Sequence, residues 1–137
     1  MMVDDAQLWS LLAGIEERLP LRPETLQAFF GATFEKSRDH NRQPILVATT
    51  STSEMELSAG SLTVRFTPPL QVSSAAVYQR FPGGNSLPPP PPGYGPAGAE
   101  AAYIATRPWG QIWFKFFTGS RLTQVSIAPG TRPSPGV

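Results

Sequence analysis

Large apolar side chains recur at every second position between residues 109 and 127, and this is the strongest pattern in the chain. Ile112, Phe114 and Phe116 form one alternating set, which is typical of a β-strand with that set facing the core. Residues 118–120 (Thr-Gly-Ser) supply a turn, because glycine adopts positive φ without steric cost. We therefore predict a β-hairpin, whose return strand carries the alternating residues Thr123, Val125 and Ile127.

The opposite side of the first hairpin strand is apolar as well. Trp113 and Phe117 are predicted to face outward, with Leu122 beside them on the return strand, and Trp109 and Tyr103 are candidates to join them. An exposed patch of this kind is typical of an interaction site, and Trp and Tyr are enriched at interface hot spots. Two interpretations stay open: the patch is exposed, or the first helix or a proline-rich loop covers it.

Two helices are predicted before the first strand. Pro20 ends the first helix, because a residue that precedes proline is pushed out of the α region. Pro23 suits the first position of the second helix, and Gly31 is a suitable C-terminal cap. The first helix presents a stripe of apolar residues at helical spacing, namely Leu8, Leu11, Leu12, Ile15 and Leu19.

The middle of the chain predicts short strands separated by turns. Pro68 and Pro69 are expected to end one of these strands, because proline cannot donate to a ladder. Residues 35–43 are polar and predict an exposed loop, whereas residues 72–81 favour a short helix, with a strand as the alternative. The predicted strands before the hairpin are residues 45–50, 54–57, 62–66 and 101–106.

Residues 82–99 form a proline- and glycine-rich loop in this interpretation. Residues 88–92 are consecutive prolines, which favours extended polyproline II. Such a run is either a ligand for SH3 or WW domains or a stiff loop, and we favour the loop because no basic residues flank it at a fixed offset. Residues 129–137 are predicted to be a flexible tail.

Together these elements predict an α+β domain over residues 1–128, with N-terminal helices packed on an antiparallel sheet of five to six strands. Faint self-similarity divides it into units 21–69 and 70–128, each with a helix, a loop and three strands. Chance explains the matches as well as an internal repeat does. The matching segments are LQAFFG with VYQRFPG, VAT with IAT, and GSLT with GSRLT.

A tandem of small helix-plus-sheet units resembles the architecture of β-lactamase inhibitory protein, and each unit is similar to the BamE-type module. The resemblance covers the pattern of elements over residues 21–128 and no residue-level motif, so no functional residue is carried over. It implies a protein that presents a sheet face to another protein, as several bacterial immunity proteins do. The chain departs from both families, because it has no cysteine for the inhibitor's disulfides and its first residues do not predict a lipoprotein leader.

Composition narrows the functional classes. Charged residues are 15% of the 137 residues and the net charge is +1, without the concentrated basic stripe that nucleic-acid binding needs. The absence of cysteine excludes disulfides, Cys-ligated zinc and thiol nucleophiles. No run is long and apolar enough to suggest a membrane span, so we predict a cytoplasmic protein, and whether a leader peptide was removed stays open.

The candidate chemistry is sparse, and no cofactor or metal is predicted. His40 is the only histidine and has no partner at metal-ligand spacing, so we interpret it as a loop residue. Glu54 and Glu56 share a strand face, with Arg65 expected opposite. That pair either serves acid–base chemistry or cation binding or, as we favour, is a solvent-facing charged surface.

The sequence therefore predicts a non-enzymatic binding protein, most concretely an immunity or inhibitor protein that occludes a bacterial toxin or effector. The alternatives are a secretion chaperone or adaptor, and a small enzyme that uses Glu54, Glu56 or His40. The partner is predicted to be a protein, neither nucleic acid nor membrane. The predicted partner-binding residues are Trp109, Trp113, Lys115, Phe117, Leu122, Glu54, Glu56 and Arg65.

Overall fold

The fold is α+β, with three helices and eight strands in the part of the chain that the computed structural model describes, residues 3–58, 60–87, 101–117 and 121–130. The helices are α1 (Val3–Glu16), α2 (Pro23–Phe30) and α3 (Ser74–Arg80). The strands are β1 (Glu35–Arg38), β2 (Pro44–Thr49), β3 (Ser53–Ser58), β4 (Ser61–Leu70), β5 (Asn85–Leu87), β6 (Ala101–Arg107), β7 (Gly110–Phe117) and β8 (Arg121–Pro129).

The eight strands form one antiparallel sheet in the order β1-β2-β3-β4-β8-β7-β6-β5. After α1, a helix followed by four strands occurs twice along the chain, and the last strands of the two sets, β4 and β8, pair at the centre. Within the described residues, β1 and β5 therefore form the two edges.

The α+β class was predicted correctly, but the strand number of five to six was wrong. β1 lies in the segment that was predicted to be a loop, and all four of its residues are exposed, so no apolar alternation marks it. β5 lies at the start of the predicted proline-rich loop. Residues 88–100, with the consecutive prolines, and the tail residues 131–137 lie outside the described part of the chain.

Local signals determine two helix ends, and the cap at Gly31 is the one that was predicted. Gly31 adopts the left-handed conformation (φ 67°, ψ 30°) and closes α2, and its backbone N–H donates to the carbonyl of Gln27. The Ser73 side chain caps α3 by accepting a hydrogen bond from the Ala76 N–H at 3.1 Å. The helical interpretation of residues 72–81 is therefore confirmed.

The prediction that Pro68 and Pro69 end their strand was wrong, because β4 continues to Leu70. Strand β3 pairs with β4 only as far as Phe66, and the register between β4 and β8 shifts between Arg65 and Leu70. The two prolines thus lie beyond the regular ladder, where a missing backbone N–H leaves no ladder bond unmade.

The core lies between the helices and one face of the sheet, which we call the inner face. Cross-strand partners share a face, so the register identifies its rows. Leu62, Ile127, Ile112 and Ala105 form one row, and Val64, Val125, Phe114 and Tyr103 form the next. All eight are buried, and they share one apolar cluster with Leu8, Leu12 and Ile15 of α1, Leu26 of α2 and Val77 of α3.

Candidate functional site

The candidate site is the opposite side of the sheet, which we call the outer face. The buried apolar residues of the three helices share a cluster with the inner face, so the outer face carries no helix layer among the described residues. The register places one row of side chains across the middle of this face. That row is Val47, Glu56, Thr63, Ser126, Trp113 and Ile104.

A charged cluster occupies the β3–β4 part of the outer face. Arg65 Nη1 lies 3.4 Å from Glu54 Oε1 and 3.8 Å from Glu56 Oε1. Glu54 is the direct cross-strand partner of Arg65, as the sequence predicted. Because all three side chains remain partly accessible to water, these ion pairs are worth little in stability, and they mainly set the charge of the surface.

Polar side chains continue across the centre of the sheet. Thr63 Oγ1 and Ser126 Oγ lie 3.2 Å apart, and Gln124 Nε2 donates to Ser126 Oγ at 3.4 Å. Lys115 is the cross-strand partner of Gln124 and belongs to the same face. Hydroxyl and amide groups in such a row can exchange their hydrogen bonds with a protein partner, since each has unused donor or acceptor capacity.

An apolar cluster occupies the β6–β7 part of the outer face. Trp113 is partly buried, and its indole N–H donates to Gln111 Oε1 at 3.1 Å. Ile104 is the cross-strand partner of Trp113 and is 9% exposed, although it does not belong to the inner core cluster. Phe117 is 39% exposed at the end of the strand. Trp113 and Phe117 are therefore on the side that the alternation predicted.

Leu122 was predicted to lie beside Trp113 and Phe117, and this was wrong. Leu122 is fully buried in the inner core and is the cross-strand partner of Phe116. The register between β7 and β8 shifts by one residue, because Lys115 pairs with Gln124 and the next residue, Phe116, pairs with Leu122. A β-bulge of this kind reverses the side to which the following residues point, and simple alternation cannot foresee it.

Trp109 and Tyr103 do not join the outer cluster either. The Trp109 indole N–H donates to Glu16 Oε1 at 3.0 Å, and its ring packs against the inner core. Tyr103 is buried on the inner face, where its hydroxyl accepts a hydrogen bond from the Gly84 N–H and donates to the carbonyl of Phe81. Both residues connect distant parts of the chain to the core. Of the predicted aromatic residues, Trp113 and Phe117 are therefore the ones on the outer face.

Glu16 forms a polar cluster with Arg107 and Trp109, which lie far from it along the chain. Arg107 Nε donates to Glu16 Oε1 at 2.6 Å, beside the bond from Trp109. Partial burial raises the pKa of the Glu16 carboxyl, but the hydrogen bonds from Arg107 and Trp109 and the attraction of Arg107 outweigh it, so the pKa lies below its ordinary value. The cluster joins α1 to the end of β6 and to the β6–β7 turn, and this structural role accounts for it.

The residues of the enzymatic alternative do not converge. His40 is exposed in the turn between β1 and β2, while Glu54 and Glu56 lie on the outer face with Arg65. Over residues 3–58, 60–87, 101–117 and 121–130, no group of His, Asp and Glu side chains is arranged to hold a metal ion.

Comparisons with protein-family models, with curated proteins and with solved structures gave no significant match. None of the helices in the described ranges is long and apolar enough to cross a membrane.

The sequence predicted only part of the outer face. The place of Ile104 on the outer face was missed because apolar and polar residues alternate only weakly over residues 101–106. The Glu16–Trp109 contact was missed because it joins residues 93 positions apart, which leaves no local signal.

Proposed function

We propose that this protein is a non-enzymatic binding protein whose outer face docks onto another protein and occludes it, most concretely an immunity or inhibitor protein for a bacterial toxin or effector. The observation that supports this most is the position of Trp113 and Phe117 on the sheet face that no described helix covers. Aromatic side chains on such a face favour binding over turnover.

The outer face is large enough for this role. Eight strands at a spacing of about 4.8 Å give a width of roughly 34 Å, and strands of three to ten residues give a height of roughly 10–33 Å. A protein–protein interface of ordinary size removes about 800 Å² from each partner. The sheet face therefore matches the area that a specific partner needs.

The two ends of the outer face differ in character, and this gives a partner a defined orientation. Glu54 and Glu56 with Arg65 make one end acidic overall, while Lys115 lies near the aromatic end with Trp113 and Phe117. In the proposed complex the rings supply affinity by becoming desolvated, and the charges set the register and the association rate.

The experiment is a comparison of the wild-type chain with Trp113→Ala and Phe117→Ala in partner capture from cells of the source organism. A captured protein is then purified, and its affinity, stoichiometry and activity are measured with each variant. We expect a one-to-one complex that suppresses the activity of the partner. Each aromatic variant is expected to weaken the affinity by about tenfold or more, which corresponds to about 1.4 kcal/mol or more of binding free energy.

The matched control is Ile112→Val on the inner face of the same strand, which lowers stability modestly and leaves the outer face intact. Equal binding by the wild-type and both aromatic variants would refute the proposal. Weak, transient binding of many proteins would favour the chaperone or adaptor alternative instead.

A further inference from the structure

A second candidate surface lies at the β1 edge of the sheet, away from the aromatic end of the outer face. β1 pairs with β2 alone among the described strands, and all four of its residues are exposed. An edge strand carries a row of backbone N–H and C=O groups that another extended segment can pair with. The side chains around that edge decide which segment fits.

The hydrogen-bond pattern identifies the outward-pointing groups. The Asp39 N–H donates to the Gln43 carbonyl at 3.0 Å, which makes these two residues a hydrogen-bonded pair in the β1–β2 hairpin. Such pairs alternate along an antiparallel ladder, so Ser37 with Ile45 is the next one. The intervening residues, Lys36 and Arg38, therefore direct their N–H and C=O groups away from β2, towards the open edge.

The side chains of these two residues are positively charged and lie on one side of the sheet, about 7 Å apart along the strand. Neither is in an ion pair with any described residue, and Arg38 Nη1 donates only to the Arg42 carbonyl at 2.9 Å. Asp39, which follows Arg38, accepts the N–H groups of Asn41 and Gln43 instead. Glu35, which precedes Lys36, belongs to the opposite side of the sheet by strand alternation.

An open groove of about 650 Å³ adjoins the same two side chains. Leu46 is the cross-strand partner of Lys36, and Leu57 is the partner of Leu46 on the next strand, so both share the side of the sheet that carries Lys36. Leu46, Leu57 and Ile45 line the groove, and no carboxylate lines it. The groove thus combines two cations with an apolar surface, next to unpaired backbone donors and acceptors.

From this arrangement we infer that the β1 edge binds an extended segment of another protein by strand addition, and that this segment carries acidic side chains at alternate positions. Its carboxylates lie opposite Lys36 and Arg38, and its backbone pairs with the outward N–H and C=O groups of the same residues. This inference does not depend on the function proposed for the outer face.

A second copy of the chain is a poor occupant of this edge. Two β1 strands that paired antiparallel through Lys36 and Arg38 would bring like charges opposite one another, which is destabilising. The same cations that exclude self-association through β1 therefore favour a partner of opposite charge.

The probe is a capped, fluorescently labelled peptide of alternating glutamate and valine, titrated into the full chain by fluorescence anisotropy. A peptide of alternating lysine and valine is the matched control. We expect the glutamate peptide to bind and the lysine peptide not to bind. Slower hydrogen exchange at the Lys36 and Arg38 amides on binding is the direct sign of strand addition.

Paired variants separate the charge from the backbone. Lys36→Gln removes one charge and is expected to weaken binding by roughly two- to fivefold. Lys36→Pro removes the same charge and also the outward N–H, without breaking a β1–β2 bond, and is expected to abolish binding. The charge reversal Lys36→Glu with Arg38→Glu is expected to transfer binding to the lysine peptide.

No binding of the glutamate peptide would overturn the inference. So would equal binding by Lys36→Gln and Lys36→Pro, because the peptide would then recognise charge without pairing to the backbone. If Lys36→Pro unfolds, the hydrogen-exchange result on the wild-type chain decides, and unchanged exchange at Lys36 and Arg38 rejects strand addition.

Discussion

The two faces of β7 carry side chains of similar size in very different surroundings. On the inner face, Ile112, Phe114 and Phe116 are at most 1% exposed, because helices close over them. On the outer face, Trp113 is partly buried and Phe117 is 39% exposed. The difference shows that a strand with apolar residues on both sides need not be buried on both sides.

The largest expected effect on stability comes from a substitution on the inner face. Phe114 is fully buried between two other core strands, so Phe114→Ala leaves a cavity that its neighbours fill only in part. We expect the free energy of unfolding to fall by about 3–5 kcal/mol, measured by urea denaturation. A loss below about 1 kcal/mol would show that the inner face is not a packed core.

The next effect concerns the polar cluster that holds α1 against the end of β6 and the β6–β7 turn. Glu16→Gln removes a carboxylate that accepts hydrogen bonds from Arg107 and Trp109, and we expect it to lower the free energy of unfolding by about 1 kcal/mol at neutral pH. Glu17→Gln, at an exposed neighbouring position, is the control and is expected to change little.

The same pair of variants tests the pH dependence. The folded pKa of Glu16 lies below the ordinary value of 4.5, so its contribution is present above that value and is lost as the pH falls towards the folded pKa. The stability difference between wild type and Glu16→Gln should therefore shrink below about pH 4.5. A difference that grew in acid would mean that the sign of the shift is wrong.

The smallest expected effect is at the charged end of the outer face. Arg65→Ala removes two ion pairs that water already screens, and we expect the free energy of unfolding to change by less than about 0.5 kcal/mol. Thermal unfolding at low and high salt is the measurement. A loss of several kcal/mol would show that these charges are structural, and the surface assignment would fail.

Much of the fold could be predicted because its signals are local. The α2 cap at Gly31, the α3 cap at Ser73 and the alternation in β7 depend on neighbouring residues alone. β1 was missed because its residues EKSR lie at an exposed edge, where pairing needs no apolar pattern. The structure has a helix followed by four strands twice, whereas the predicted repeat unit had three strands, and the internal repeat itself stays a prediction.

The candidate site was predicted only in part, for reasons that are not local. Six of the predicted residues lie on the face that strand alternation predicted, because regular pairing fixes the face of each residue. They are Trp113, Phe117, Glu54, Glu56, Arg65 and Lys115. The prediction for Leu122 was wrong because one inserted residue in β8 reverses the side to which Leu122 points. The prediction for Trp109 was wrong because its hydrogen-bond partner, Glu16, lies near the opposite end of the chain.

The most direct test of the central claim compares the free energies of unfolding of Trp113→Ala and Phe114→Ala, adjacent residues on opposite faces of β7. If the outer ring is a docking surface with no helix layer above it, Trp113→Ala should lose about 1–2 kcal/mol against about 3–5 kcal/mol for Phe114→Ala. A loss for Trp113→Ala as large as that for Phe114→Ala would contradict the claim and place Trp113 in a second interior.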